Sequence, residues 1–426
     1  MEDLTNHESS GEVSKIMRKL SIAMVFVAFL AVVTAAPSEA ASAQRPARLT
    51  MQSIWAPSIT LWRPDKYFAD LVNVLADGVV HVDYFDGGTL VTTSDELFDA
   101  VSTGALDLGS DWPSYWEGKN TVFALFTSVP MIFTPGDYMV WYWQAGGFEL
   151  AQEMYGKYGM VWLPHSVTSP ESGQRTNVPI RRLQDYAGIK MRQCGRNQAR
   201  ILEQLGAAPV FTPGAEIYLS LQRGVLDGAE FSVPEVDWSM GLQEVTKYNV
   251  QPGWHQPGPV SGIMINKQSY DRLPDRAKFI LKQAAMATMM WSWTFFEYSS
   301  GEYTDKFLEA GTTITRLEDD AIAELQAIAD RLLIADARAN RDHAKVAFSM
   351  VQFLKDVQLW RDSQQPYMFG RTPPTLEKLY EELRAIAQQH GVYDDVMTLR
   401  ERVRARNKAQ EFWTPSMPYT GNPVMP

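Results

Sequence analysis

The chain of 426 residues holds one cysteine, Cys194. No disulfide can form within it, so the fold rests on buried apolar area rather than on covalent staples. Cys194 itself reads as a small packed residue. The six histidines (His7, His81, His165, His255, His343 and His390) show no metal-ligand spacing. The chain also lacks Gly-x-Ser-x-Gly, His-Glu-x-x-His, Cys-x-x-Cys, a phosphate loop and Gly-x-Gly-x-x-Gly, which argues against the commonest hydrolases, zinc peptidases and nucleotide enzymes. Basic blocks are missing. The formal net charge is −11, of which residues 1–43 contribute −2, leaving −9 for the rest. A chain of that charge is poorly suited to nucleic acid or to an anionic membrane. Beyond Leu20–Val33, no apolar run is long enough to span a bilayer.

What is present begins with that run. Lys15, Arg18 and Lys19 precede it, and small residues ending in Ala41-Ser-Ala43 follow. This is the three-part pattern of a cleaved signal peptide, residues 1–43, and it implies export to the periplasm. An uncleaved anchor is the competing reading. The remaining length is too great for one ordinary core and implies two lobes. Leu49–Trp55, Val79–Phe85 and Leu106–Ser110 read as strands separated by helices, the opening of a doubly wound α/β lobe. Pro164, Ser169-Pro170, Ser172-Gly173 and Pro179 mark residues 164–187 as an irregular crossover. The expected division assigns 44–166 and 259–365 to the first lobe with its hinge helices, and 167–258 to the second. Residues 366–426 form a C-terminal helical extension with a Pro-rich tail. The fold class is therefore α/β: two lobes with mixed sheets flanked by helices, hinged crossovers and extra C-terminal helices.

Ligands of open α/β sheets sit beyond the carboxyl ends of the strands, which directs attention to Gly188–Pro259. Arg192 ends one strand there. Its guanidinium could pair bidentately with a carboxylate or make a structural salt bridge across the cleft. Glu230 ends another strand and could face a cation, a ligand hydroxyl or solvent. Trp254 and His255 lie in a Pro/Gly-bounded loop and either cover the lobe edge or close over a ligand. Trp55, Trp112, Tyr115 and Trp116 are candidates for the cleft wall or for the core. A competing class is an exported lyase or hydrolase with Glu230 as base and His255 as acid.

Three motifs carry a family resemblance: Gly188-Ile-Lys-Met-Arg192; Glu216-Ile-Tyr218 with Leu221-Gln-Arg-Gly224 and Leu226-Asp-Gly-Ala-Glu230; and Pro252-Gly-Trp-His-Gln-Pro-Gly258. Together they resemble the periplasmic solute-binding receptors of tripartite ATP-independent periplasmic (TRAP) transporters, in the branch that takes 2-oxo and 2-hydroxy acids. The resemblance covers most of residues 44–365. It implies a binding protein rather than an enzyme, working with membrane permease subunits and with no organic cofactor. Arg192 would clamp the ligand carboxylate, with Gln174, Phe231, Trp254, Trp55 and Tyr115 as further ligand contacts. Gln174, Glu230, the backbone at Phe231 and Gln256 would surround a bridging sodium or calcium ion. Two positions depart from the branch, Phe231 where it usually has Trp and Gln256 where it usually has Glu. The second removes a negative charge from the implied shell and argues for a weakly held ion or none. Leu376–Gln410 is the candidate element for a homodimer, or else an ordinary capping helix pair.

Overall fold

The computed structural model describes residues 46–364 together with the isolated positions Gln388, Asp394 and Thr398. The expected signal segment 1–43 lies outside the described residues, as does the candidate dimer element 376–410 apart from those three positions. None of the described helices is long and apolar enough to cross a membrane.

Among the described residues, eleven strands form two sheets. In chain order they are β1 (Ala47–Gln52), β2 (Val80–Phe85), β3 (Leu108–Asp111), β4 (Met160–Val167), β5 (Gln174–Thr176), β6 (Lys190–Arg192), β7 (Ala208–Val210), β8 (Gly228–Ala229), β9 (Tyr248–Gln251), β10 (Val260–Asn266) and β11 (Thr313–Arg316). The first sheet has the order β2-β1-β3-β10-β4, with β1 parallel to β2 and β3, and β10 antiparallel to both its neighbours. Side chains alternate across β10. Ile263 and Ile265 join Leu49, Met51, Phe68 and Leu281 on one face, while Met264 joins Phe126, Trp141 and Trp162 on the other. Both faces are covered by helices, so the sheet is a buried layer.

The second sheet has the order β11-β9-β5-β8-β6-β7. Here β6 runs parallel to β7 and β8, while β5 is antiparallel to β8 and β9. Two parts of the expected layout are corrected. First, the 164–187 crossover is not wholly irregular. Pro164 sits within β4, opposite Gly262 at a register shift that spares it a ladder bond, and β5 lies inside the same stretch. Second, residues 259–365 do not all belong with the first lobe. The 35-residue helix Asp275–Glu309 packs on β4, on helix Trp62–Leu75 and on Pro234–Ser239. At about 52 Å by its rise per residue, it carries the chain back to the second lobe. There β11 pairs with β9, and Leu325, Ile328 and Leu332 of helix Asp319–Ala339 pack with Met191, Ile201 and Trp254. The chain then returns, and helix Arg341–Gln364 buries Val346, Met350 and Phe353 in the first lobe.

Candidate functional site

Parallel pairing of β6 and β8, with Arg192 opposite Ala229, brings Arg192 and Glu230 to the same edge of the second sheet. Both are fully buried. Arg192 donates from Nε to the Thr212 carbonyl at 3.1 Å, and from Nη1 to the Glu230 carbonyl and to Glu230 Oε1, both at 2.7 Å. No described residue accepts from Nη2. Burial opposes the guanidinium's charge most strongly, but Glu230 together with Cys194, Tyr115 and Glu171 outweighs it and holds the pKa above the ordinary value. The Phe231 ring lies 5.2 Å from the guanidinium carbon. Cys194 N–H donates to Glu230 Oε1.

Arg192 faces a narrow cavity. Trp55, Leu61, Trp112 and Tyr115 line it from the first lobe, and Arg192, Cys194, Phe231 and Gln256 from the second. Edge-to-face contacts of Trp55 with Trp112, Tyr115 and Phe231, centroids 5.7–6.4 Å apart, stiffen the wall.

Behind Arg192 lies a second group. His255 Nε2 is 2.9 Å from Glu171 Oε2 and 3.8 Å from Glu230 Oε2. Ligand atoms of Glu171, Glu230 and His255 all fall within 4.8 Å of one another, and all three residues are buried. Glu171 Oε1, Glu230 Oε2, Gln256 Oε1 and His255 Nδ1 have no hydrogen-bond partner. Burial, reinforced by the charge of Glu230, pushes the Glu171 carboxyl well above its ordinary range. Burial pushes His255 down to about 4, so its ring is neutral at physiological pH. Two acids share one arginine, and two of their oxygens are desolvated without a donor. An oxygen-binding cation fits that donor set, which would otherwise bear a desolvation penalty.

Of the residues singled out from sequence, Arg192, Phe231, Tyr115, Trp55 and Gln256 meet at the cavity, with Glu230 immediately behind. Gln174 and Trp254 do not line it. Gln174, on β5, accepts from the Tyr186 hydroxyl at 2.5 Å and leaves Nε2 unpaired. Trp254 packs with Tyr186, Ile201 and Leu325, its Nε1 3.4 Å from the Tyr186 oxygen. Trp116 is a core residue that donates to Asp111 at 3.2 Å. Cys194 lines the cavity rather than merely packing, and burial pushes its thiol up to about 12. Sequence reasoning missed Glu171. The available signal was an acid framed by Ser-Pro and Ser-Gly in a crossover, where charge has no packing role.

The model of the bacterial extracellular solute-binding protein family 7 (DctP) matches residues 52–337. The chain belongs to this family. A monocarboxylate 2-oxoacid-binding periplasmic protein of Nostoc sp. is 26% identical over 80% of this chain and 94% of its own length. The fold matches a TRAP transporter solute-binding protein of Bordetella bronchiseptica, a mixed-occupancy dimer with calcium and picolinate, at TM-score 0.72 and 22% identity, covering 81% of this chain and all of that one. A TRAP protein of Pseudoalteromonas atlantica with sodium and pyruvate matches at TM-score 0.67 and 25% identity, covering 75% and 97%. These DctP-family neighbours thus hold calcium or sodium together with a carboxylate.

Proposed function

We propose that this DctP-family chain is the exported receptor of a TRAP transporter and captures a small 2-oxo or 2-hydroxy acid between its lobes. The observation that carries the reading is Arg192. Its Nε and Nη1 are spent on protein acceptors, so the fork is fixed in place, and it is aimed at an aromatic-walled cavity. A ligand carboxylate would take the remaining Nη2 and lie against Phe231, Tyr115 and Trp55. A cation held at Glu230, Glu171 and Gln256 would supply a second positive charge beside the ligand's oxygens. Residues 1–43 would direct export and be removed, and closed receptor would pass its cargo to permease subunits. Residues 376–410 would pair two copies, while the capture step needs a single chain.

The lyase or hydrolase reading is disfavoured by the same geometry. Glu230 Oε1 is already engaged by Arg192 and by Cys194 N–H. A histidine whose ring stays neutral down to about pH 4 is a poor general acid near neutrality, because the imidazolium form is scarce there. Calorimetry with pyruvate, lactate and malonate, with mannitol as the neutral control, tests the proposal. Binding of one or more acids, recovered unchanged by mass spectrometry, is the expected result. Binding of mannitol with no response to any of the acids overturns it.

A further inference from the structure

The resemblance accounts for Arg192, Glu230 and Gln256 but assigns nothing to Glu171 or to His255 as a ligand. We infer that Glu171, Glu230 and His255 together hold a divalent ion of the manganese, cobalt or zinc class, in place of the sodium or calcium of the structural neighbours. The inference rests on the cleft reading above and specifies its cation.

Two observations carry it. The first is the donor set. An imidazole nitrogen lies within 4.8 Å of two carboxylate oxygens. Imidazole suits borderline first-row ions, whereas calcium and sodium sites are built from oxygens. The second is the state of those groups. Glu171 Oε1 and Glu230 Oε2 are buried without a partner, and so is Gln256 Oε1 at the cavity edge. A purely structural pair would have its oxygens filled. The ring is also held in place, with the Trp254 ring edge-on at 5.7 Å and the His255 carbonyl accepting from Gln198 Nε2 at 3.1 Å.

The test is calorimetry of the metal-stripped full chain with MnCl2, ZnCl2, CaCl2 and NaCl, each without a carboxylate. Zinc or manganese should bind about tenfold or more tightly than calcium. H255Q should weaken zinc by about tenfold while leaving calcium within about threefold. Pulsed EPR of the wild-type manganese complex should show nitrogen hyperfine coupling, a readout that needs no variant to fold. Calcium or sodium binding tighter than both zinc and manganese, or a manganese complex without nitrogen coupling, overturns the inference. Pyruvate affinity of the wild type against R192A is measured separately. If pyruvate binding depends on Arg192 while calcium leads the metals, this inference alone falls. If no acid binds at all, the cleft reading falls instead.

Discussion

Two buried histidine–carboxylate pairs sit among the described residues, and they are built differently. In the first lobe, His165 Nε2 lies 2.7 Å from Asp65 Oδ1, and Asp65 Oδ2 accepts from the hydroxyls of Ser53 and Ser110. In the cleft, His255 Nε2 lies 2.9 Å from Glu171 Oε2, and Glu171 Oε1 accepts from nothing. The rings are alike, each leaving Nδ1 without a partner. The acids carry the contrast. Asp65 has donors at both oxygens and ties Ser53 just after β1, β3, β4 and helix Trp62–Leu75 together. Glu171 bears the cost of burial beside a second acid without the donors that would offset it. Saturation marks a structural acid, and an open valence in a buried acid marks a place kept for something else.

The largest effect that would break the contrast is on stability. Asp65→Ala strands two hydroxyls and a histidine in the core and should cost about 3–5 kcal/mol, with calorimetric affinity for the ligand acid unchanged in whatever folds. Next comes Arg192→Ala. Loss of a buried charge-assisted contact should weaken acid binding by at least about 2 kcal/mol, read from dissociation constants; an unchanged constant removes the clamp. Glu171→Gln should do the reverse of Asp65→Ala. It removes a buried acid whose second oxygen has no donor, so the unfolding free energy from urea titration should hold or rise by up to about 1 kcal/mol while cation affinity falls. A clear destabilisation by Glu171→Gln would place Glu171 with Asp65 and end the distinction.

The sequence made one side of this comparison visible and hid the other. Arg192 and Glu230 were legible because each ends a short strand in a regular strand–helix rhythm, and strand ends are where such sheets bind. Glu171 was hidden because its place depends on contacts distant in the chain. Its N–H donates to the Gln256 carbonyl at 3.1 Å, and a Cβ added at Gly253 would stand 2.1 Å from its carbonyl oxygen. Only glycine at 253 lets the Pro-Gly-Trp-His loop close on the crossover and bring His255 to Glu171. The same approach turns the Trp254 ring into the core beside Tyr186. The apolar stripe of helix Asp319–Ala339 names no partner. Only the pairing of β11 with β9 shows which core it enters.

The smallest effect concerns a saturated acid nearer the surface. Asp336 accepts from Arg196 Nη1 at 3.0 Å and from Arg200 Nη1 at 2.8 Å, joining helix Asp319–Ala339 to helix Arg196–Gln204. Burial would raise its pKa, but the hydrogen bonds from Arg196 and Arg200 outweigh burial and hold the carboxyl below its ordinary value. A depressed folded-state value means the stabilisation is present above the unfolded carboxyl pKa, about 3.9, and is lost as pH falls through the lower folded value. The arginine side chains are 46% and 27% exposed, so solvent screens the pairs and their worth stays below about 1 kcal/mol. Wild type should therefore exceed Asp336→Asn slightly in urea midpoint at pH 6, and the gap should close on acidification to below the folded-state value. A gap that persists there would mean that Asp336 acts through packing rather than charge. If acid binding at pH 6 also fell in Asp336→Asn, the saturated acid would prove to be coupled to the cleft, and filled valences would no longer separate structural acids from binding ones.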